Sequence, residues 1–220
     1  MTPTQLVELQ GYAFLPSFHP TLSPNAAASA LGIPELVDGL RLVQELLPTK
    51  PDLTTPNTYS GNFGLDSFPL HTDLANWAKP PRYLMLRCAI GDPDIDTKVI
   101  DGLSLVESLG SSTLARCLAR PRRPMKGALQ LLPVWQRTTE AHKQLLRWDS
   151  VYLQPTNEYA RAVFATITDW LSLSQPKTHV LLNKGDTLLL DNWRVLHGRS
   201  AVSNSTSSRK IHRLYLSSLT

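Results

Sequence analysis

Gly185-Asp-Thr-Leu-Leu-Leu-Asp-Asn-Trp-Arg-Val-Leu-His-Gly-Arg199 is the stretch on which the fold turns. Thr187–Leu190 is a short run, apolar on both faces, between the turn Lys184-Gly185-Asp186 and the polar pair Asp191-Asn192. A run of that length bounded by turn residues reads as a buried strand. His179–Asn183 lies just before the turn, and the two runs together read as a hairpin. His197 follows on the next extended piece. Outward from this stretch, Lys210–Ser217 reads as a last strand, Tyr83–Ala89 (YLMLRCA) as a compact one, and Asp96–Ile100 as another after the turn Gly91-Asp-Pro-Asp94. Strands that are short and closely spaced close most naturally into a barrel or sandwich.

Helical spacing appears elsewhere. Tyr159, Val163, Phe164, Ile167, Trp170 and Leu171 form one apolar stripe, with Thr156 or Asn157 as the N-cap, and predict a helix over 157–173. Leu103–Leu109 predicts a short helix. Thr4–Gln10 and Glu35–Leu47 carry the same period, and in the second Leu36, Leu40, Val43 and Leu47 fall on one face. Between these two, Gly11–Pro16 reads as a short buried strand. Prolines 48, 51 and 56 predict a loop, and the proline-rich stretch 120–139 is irregular with a strand at Leu129–Leu132.

The chain's 220 residues are enough for one domain with a full core, and 42% hydrophobic against 18% charged is a globular composition. Cys88 and Cys117 provide neither a disulfide framework nor a zinc knuckle. No basic and apolar leader opens the chain and no apolar run approaches a membrane span, so a cytoplasmic protein is expected, with no membrane partner. A net charge of +4 is a mild excess. Arg116, Arg120, Arg122, Arg123 and Lys126 cluster around Pro121 and Pro124. The cluster reads as a solvated loop or as a docking surface for an acidic partner, without the aromatic spacing of a nucleic-acid-binding sheet.

Chemistry enters at Phe68-Pro-Leu-His71-Thr-Asp73. In an extended segment, side chains two apart share a face, so His71 and Asp73 would enter one cavity together. A second histidine, His197, would complete the two-histidine, one-carboxylate set that holds non-heme iron with open positions. On the last strand, alternation puts Arg209, Ile211, Arg213 and Tyr215 on one face. Buried arginines are costly unless an anion meets them, and a guanidinium fork suits a carboxylate. A metal and a dicarboxylate would occupy such a site together. His212 faces the other way, Asn192 and Arg194 are expected to brace the turn, and His19, His142 and His179 are not expected to be ligands.

Phe-Pro-Leu-His-Thr-Asp at 68–73, Pro-Pro-Arg-Tyr at 80–83, Asp96-Thr97, Asp-Asn-Trp-Arg-Val-Leu-His-Gly-Arg at 191–199 and Arg-Lys-Ile-His-Arg at 209–213 together resemble the taurine dioxygenase (TauD/TfdA) family of Fe(II)/2-oxoglutarate-dependent dioxygenases, and its clavaminate-synthase-like branch in particular. The resemblance implies a mainly β chain with flanking helices (α+β) around a double-stranded β-helix, or jelly-roll, cupin-like core. Residues 1–220 would be a single domain, with a helical and loop lead-in over 1–58 and the core over 59–217. It implies His71, Asp73 and His197 as iron ligands, and Thr97, Arg209 and Arg213 as contacts to 2-oxoglutarate, Arg213 alternatively to the substrate's anion. Tyr59, Ser60, Asn62, Trp77, Arg147, Trp148 and Asp149 are the candidate substrate contacts. The activity implied is oxidation, foremost hydroxylation, of an unactivated C–H in a small molecule such as an amino acid or natural-product intermediate. It would use O2, with release of succinate and carbon dioxide. Asp73 stands where halogenating relatives carry a small residue, which points away from halogenation. The alternatives are a jelly-roll sensor that binds without turnover, or an oxygenase of a macromolecule docked on the arginine cluster.

Overall fold

A computed structural model describes residues 1–50, 53, 58–123, 130–139, 143–204 and 206–220. Two antiparallel sheets dominate it. The larger runs in the order Tyr12–Leu15, Thr187–Asp191, Tyr83–Ile90, Lys210–Leu219 and Gly32–Glu35, with Gln44–Leu46 also paired to the long last strand. The smaller runs Lys177–Val180, Asp96–Asp101, Val195–Arg199 and Phe68–His71. The chain is thus mixed α/β and mostly sheet.

The period of two sorts the side chains into layers. Leu84, Leu86, Leu188, Leu190 and Ile211 point from the large sheet toward Val99 and Val195 of the small one and fill the seam between them. Alternate residues Met85, Leu189, Leu214 and Leu216 face outward and are covered by Val7, Ala28 and Leu31 from the N-terminal helices. Leu196 on the small sheet is covered in the same way by the helices carrying Leu105, Leu114, Ala160, Val163 and Ile167. Each fully buried leucine contributes roughly 1.5–3 kcal/mol of transfer free energy. Because both faces of Thr187–Asp191 are covered, its centre is three consecutive leucines and the strand is buried at every position.

The expected helix over 157–173 spans Glu158–Leu173, with the Asn157 carboxamide oxygen accepting the Ala160 N–H at 2.8 Å. Gly102–Leu109 and Pro3–Gln10 are the other two expected helices. Glu35–Leu47 is not a helix. Its ends are the strands Gly32–Glu35 and Gln44–Leu46, whose backbone groups pair with the last strand, and Gly39 at φ 77° turns the chain between them. Its four periodic apolar residues all fall outside those strands: Leu40 and Val43 pack on different core clusters, and Leu36 is left 70% exposed. The expected hairpin across Lys184-Gly185-Asp186 is also absent. Lys177–Val180 belongs to the small sheet and Thr187–Asp191 to the large one. Asp186 makes this crossing: its carboxylate accepts the N–H groups of Leu182, Asn183 and Ser17 at 2.8–3.0 Å, which anchors the turn to the N-terminal segment.

Leu132–Pro133 pairs with Leu118–Pro121, while Leu129 lies outside the described residues, as do Pro51, Pro56, Pro124, Lys126 and His142. In the arginine cluster, Arg116 lies over the Tyr159 ring and Arg122 reaches the Ser150 carbonyl at 3.4 Å. Among the described residues no helix is long and apolar enough to cross a membrane.

Candidate metal centre

His71 ends the strand Phe68–His71 and lies directly opposite His197 in the antiparallel pair. Both imidazoles point inward, with ring centroids 4.5 Å apart. Asp73 follows His71 after one residue, where the strand gives way to a turn at Leu74, φ 56°. Its Oδ1 stands 3.3 Å from His71 Nε2 and 3.6 Å from His197 Nε2. Three donors near 2.1 Å from one ion at right angles would lie roughly 3 Å apart, so the set fits one metal. All three residues are buried, and their donor atoms lie within 4.8 Å of one another.

The surroundings prepare each donor. His71 Nδ1 is 2.8 Å from the Pro69 carbonyl, so Nδ1 carries the proton and leaves the Nε2 lone pair for a metal. Burial opposes ionisation of Asp73, but Arg213, then His197 and His71, hold its carboxyl well below the usual carboxylate range. Its second oxygen, Oδ2, accepts from Arg213 Nη1 at 3.0 Å and from the Tyr215 hydroxyl at 2.8 Å. One carboxylate oxygen is thus held by donors while the other faces the histidines. Asn192 fixes the backbone beneath. It accepts the Asp73 N–H at 2.7 Å and donates to the carbonyls of Asp73 at 2.9 Å and Pro81 at 3.0 Å.

Thr97 and Arg209 meet on the same inward side, Arg209 Nη2 lying 3.5 Å from the Thr97 hydroxyl. Both are buried, and Arg209 Nε has no partner. Burial lowers the Arg209 pKa. Arg213, besides Asp73, donates to Gln44 Oε1 at 2.7 Å.

The seven expected substrate contacts divide. Tyr59, on the short helix Tyr59–Phe63, lies parallel over His71 at 4.1 Å between ring centroids, and its buried hydroxyl faces the Asp149 carboxylate. Burial, then the Asp149 carboxylate, pushes the Tyr59 phenol far up. Burial also raises Asp149, whose Oδ1 accepts from Val151 and Tyr152 at 2.7 and 2.9 Å. Ser60 and Asn62 sit on the same helix as Tyr59, Asn62 exposed and bonded to the Thr58 carbonyl at 2.8 Å. Trp77 packs half-buried on the seam between the sheets.

Two of the seven do not reach the cavity. The Trp148 ring lies in the outer core against Phe164 at 4.8 Å. Arg147 is fully buried with its fork spent on the carbonyls of Ala75, Trp77 and Ala78 at 2.6–3.1 Å, clamping the loop after Asp73. Sequence reasoning overlooked Gln44, which fell inside the expected helix. It also gave Tyr215 no role, although that residue shares the inward face of Arg213.

The profile of a family described as "Taurine catabolism dioxygenase TauD, TfdA family" matches residues 13–215. No curated protein sequence matches the chain. Among solved structures, asparagine oxygenase is similar at TM-score 0.71 and 22% identity, over 94% of this chain and 73% of that one. Its complex with Fe(II), hydroxyasparagine and succinate aligns at TM-score 0.63 and 22% identity over 80% of this chain, and there the chain covers 56% of its partner in the alignment. The non-heme iron oxygenase OrfP in complex with Fe and α-ketoglutaric acid aligns at TM-score 0.69 and 18% identity, over 98% and 77% of the two chains. PvcB from Pseudomonas aeruginosa aligns at 0.69 and 17%, over 97% and 78%. At these identities the likeness is one of fold.

Proposed function

The chain belongs to the taurine catabolism dioxygenase TauD, TfdA family, and from that premise we propose that it is an Fe(II)- and 2-oxoglutarate-dependent dioxygenase that hydroxylates a small molecule, an amino acid foremost. The two facing antiparallel sheets with one apolar seam support reading the core as a double-stranded β-helix, and 1–220 as a single catalytic domain. His71, Asp73 and His197 would hold the metal, and Arg209 with Thr97 the far carboxylate of 2-oxoglutarate. When bound, iron and 2-oxoglutarate would activate O2, which is the oxidant: 2-oxoglutarate gives up two electrons and leaves as succinate, with one oxygen atom added, and carbon dioxide, and the other oxygen atom goes to the C–H bond.

The protein's share is placement and shielding. The observation that carries the reading is the pairing of a buried two-histidine, one-carboxylate set with Arg209, a buried guanidinium that has no carboxylate partner among the described residues. Arg213 and Tyr215 keep Asp73 ionised and fix its rotation. Tyr59 walls the centre on the His71 side, and the buried Asp149 beside it suits an ammonium group, in keeping with an amino-acid substrate. The relatives described as bound to hydroxyasparagine, or named as an asparagine oxygenase, make that class the first to screen. A cytoplasmic location accords with the unpaired buried thiols of Cys88 and Cys117.

Purified protein given Fe(II), 2-oxoglutarate and ascorbate is expected to release succinate, faster with the right amino acid and not at all in His71→Ala. Metal binding without any consumption of 2-oxoglutarate, across a screen of amino acids and small carboxylates, would refute the oxygenase reading in favour of a sensor.

A further inference from the structure

Arg199 ends the strand that carries His197, two residues on and therefore on the same inward face. It is 9% exposed. Its partner across the small sheet is Thr97, the residue whose hydroxyl meets Arg209. Thr97 thus stands between two buried guanidiniums, and among the described residues neither forms an ion pair with a carboxylate. Arg199 points its other end at the wall of the metal centre. Nη2 donates to the carbonyls of Gly64 at 3.0 Å and Asp66 at 2.6 Å, and the guanidinium lies 3.9 Å from the Phe68 ring centroid. Gly64 caps the helix Tyr59–Phe63, whose first residue lies on His71. Arg199 Nε is buried with no partner.

Like charges in a low-dielectric interior repel with little screening. An anion on Arg209 cancels that repulsion and leaves Arg199 seated on both carbonyls. We propose that Arg199 is a positioning residue that links the anion held at Arg209 to the Tyr59–Phe63 helix, so that binding of the dicarboxylate tightens the wall over His71. The inference rests on the reading of Arg209 as the 2-oxoglutarate clamp.

The test uses manganese-loaded full-length protein without turnover, followed by hydrogen exchange over residues 58–66 and by calorimetric titration of 2-oxoglutarate. In the wild type, 2-oxoglutarate is expected to slow exchange over 58–66. Arg199→Gln is expected to keep its manganese affinity, to bind 2-oxoglutarate about tenfold more weakly for loss of a neighbouring positive charge, and to show no slowing. Arg199→Lys, which retains the charge without the fork, is expected to recover most of the 2-oxoglutarate affinity but not the slowing. If Arg199→Gln does not fold, the lysine variant decides alone. Slowing over 58–66 in the lysine variant equal to that of the wild type would overturn the link. A wild type that binds manganese and no 2-oxoglutarate would instead sink the oxygenase reading, and this inference with it.

Discussion

Asn192 occupies one position in the sequence and three in the hydrogen-bond account of the metal centre. Its carboxamide takes up both backbone groups of Asp73 and the carbonyl of Pro81 in a fully buried place. Truncation leaves those groups without water or partner, at about 1–3 kcal/mol for each one stranded. Asn192→Ala is therefore expected to lose about 3 kcal/mol in urea unfolding and to bind manganese more weakly, since Asp73 would no longer be aimed. Unchanged affinity would mean that Arg213 and Tyr215 suffice to aim the carboxylate. The candidate ligands were legible as residues: a His-x-Asp pair on an extended segment and a distant histidine six residues after Asp191. The hydrogen bonds behind them were not, because Gln44, Tyr215 and Asp73 are far apart along the chain and only the fold brings them together.

At the scale of elements, the two histidine-bearing strands depend on close backbone approach. A Cβ on Gly198 would meet the Phe68 carbonyl oxygen at 2.6 Å and the Pro69 carbonyl carbon at 3.3 Å. Neither neighbour is a flexible side-chain end, so the strands must part. Gly198→Ala is expected to weaken manganese binding by at least tenfold, the loss typical when the support of a ligand is disturbed, with less effect on the large sheet. Titration with manganese and the near-ultraviolet dichroism of Trp193 read the two separately. Strands were legible wherever both faces are covered, as at Thr187–Asp191, because continuous apolar runs of that length have few other solutions. The segment Glu35–Leu47 misled for the converse reason: helical spacing is a weak preference, and backbone pairing with the last strand outweighs it.

For the whole molecule, acid stability depends on how the seam between the sheets is closed. His179 lies at that seam against Tyr12 and Phe14, with ring centroids 5.2 and 5.4 Å away. Burial, then Lys177, lowers its pKa. The unfolded chain then takes up a proton near pH 6.5 that the folded chain refuses, so stability from this group is present above about pH 6.5 and falls as the pH drops below it. Between pH 7.5 and 5.5 the wild type is expected to lose more stability than His179→Phe in urea unfolding. Equal losses would show that the imidazole is not held neutral.

The identity of the donors, the apolar periods of the buried strands and the capped helix after Asn157 were properties of the sequence alone, since each rests on residues close along the chain. Which sheet received each strand, the turning away of Trp148, the binding of Arg147 to loop carbonyls and the holding of Asp73 by Arg213 and Tyr215 were decided only in three dimensions. Strand pairing and the meeting of distant charges depend on register between segments that local preference does not specify.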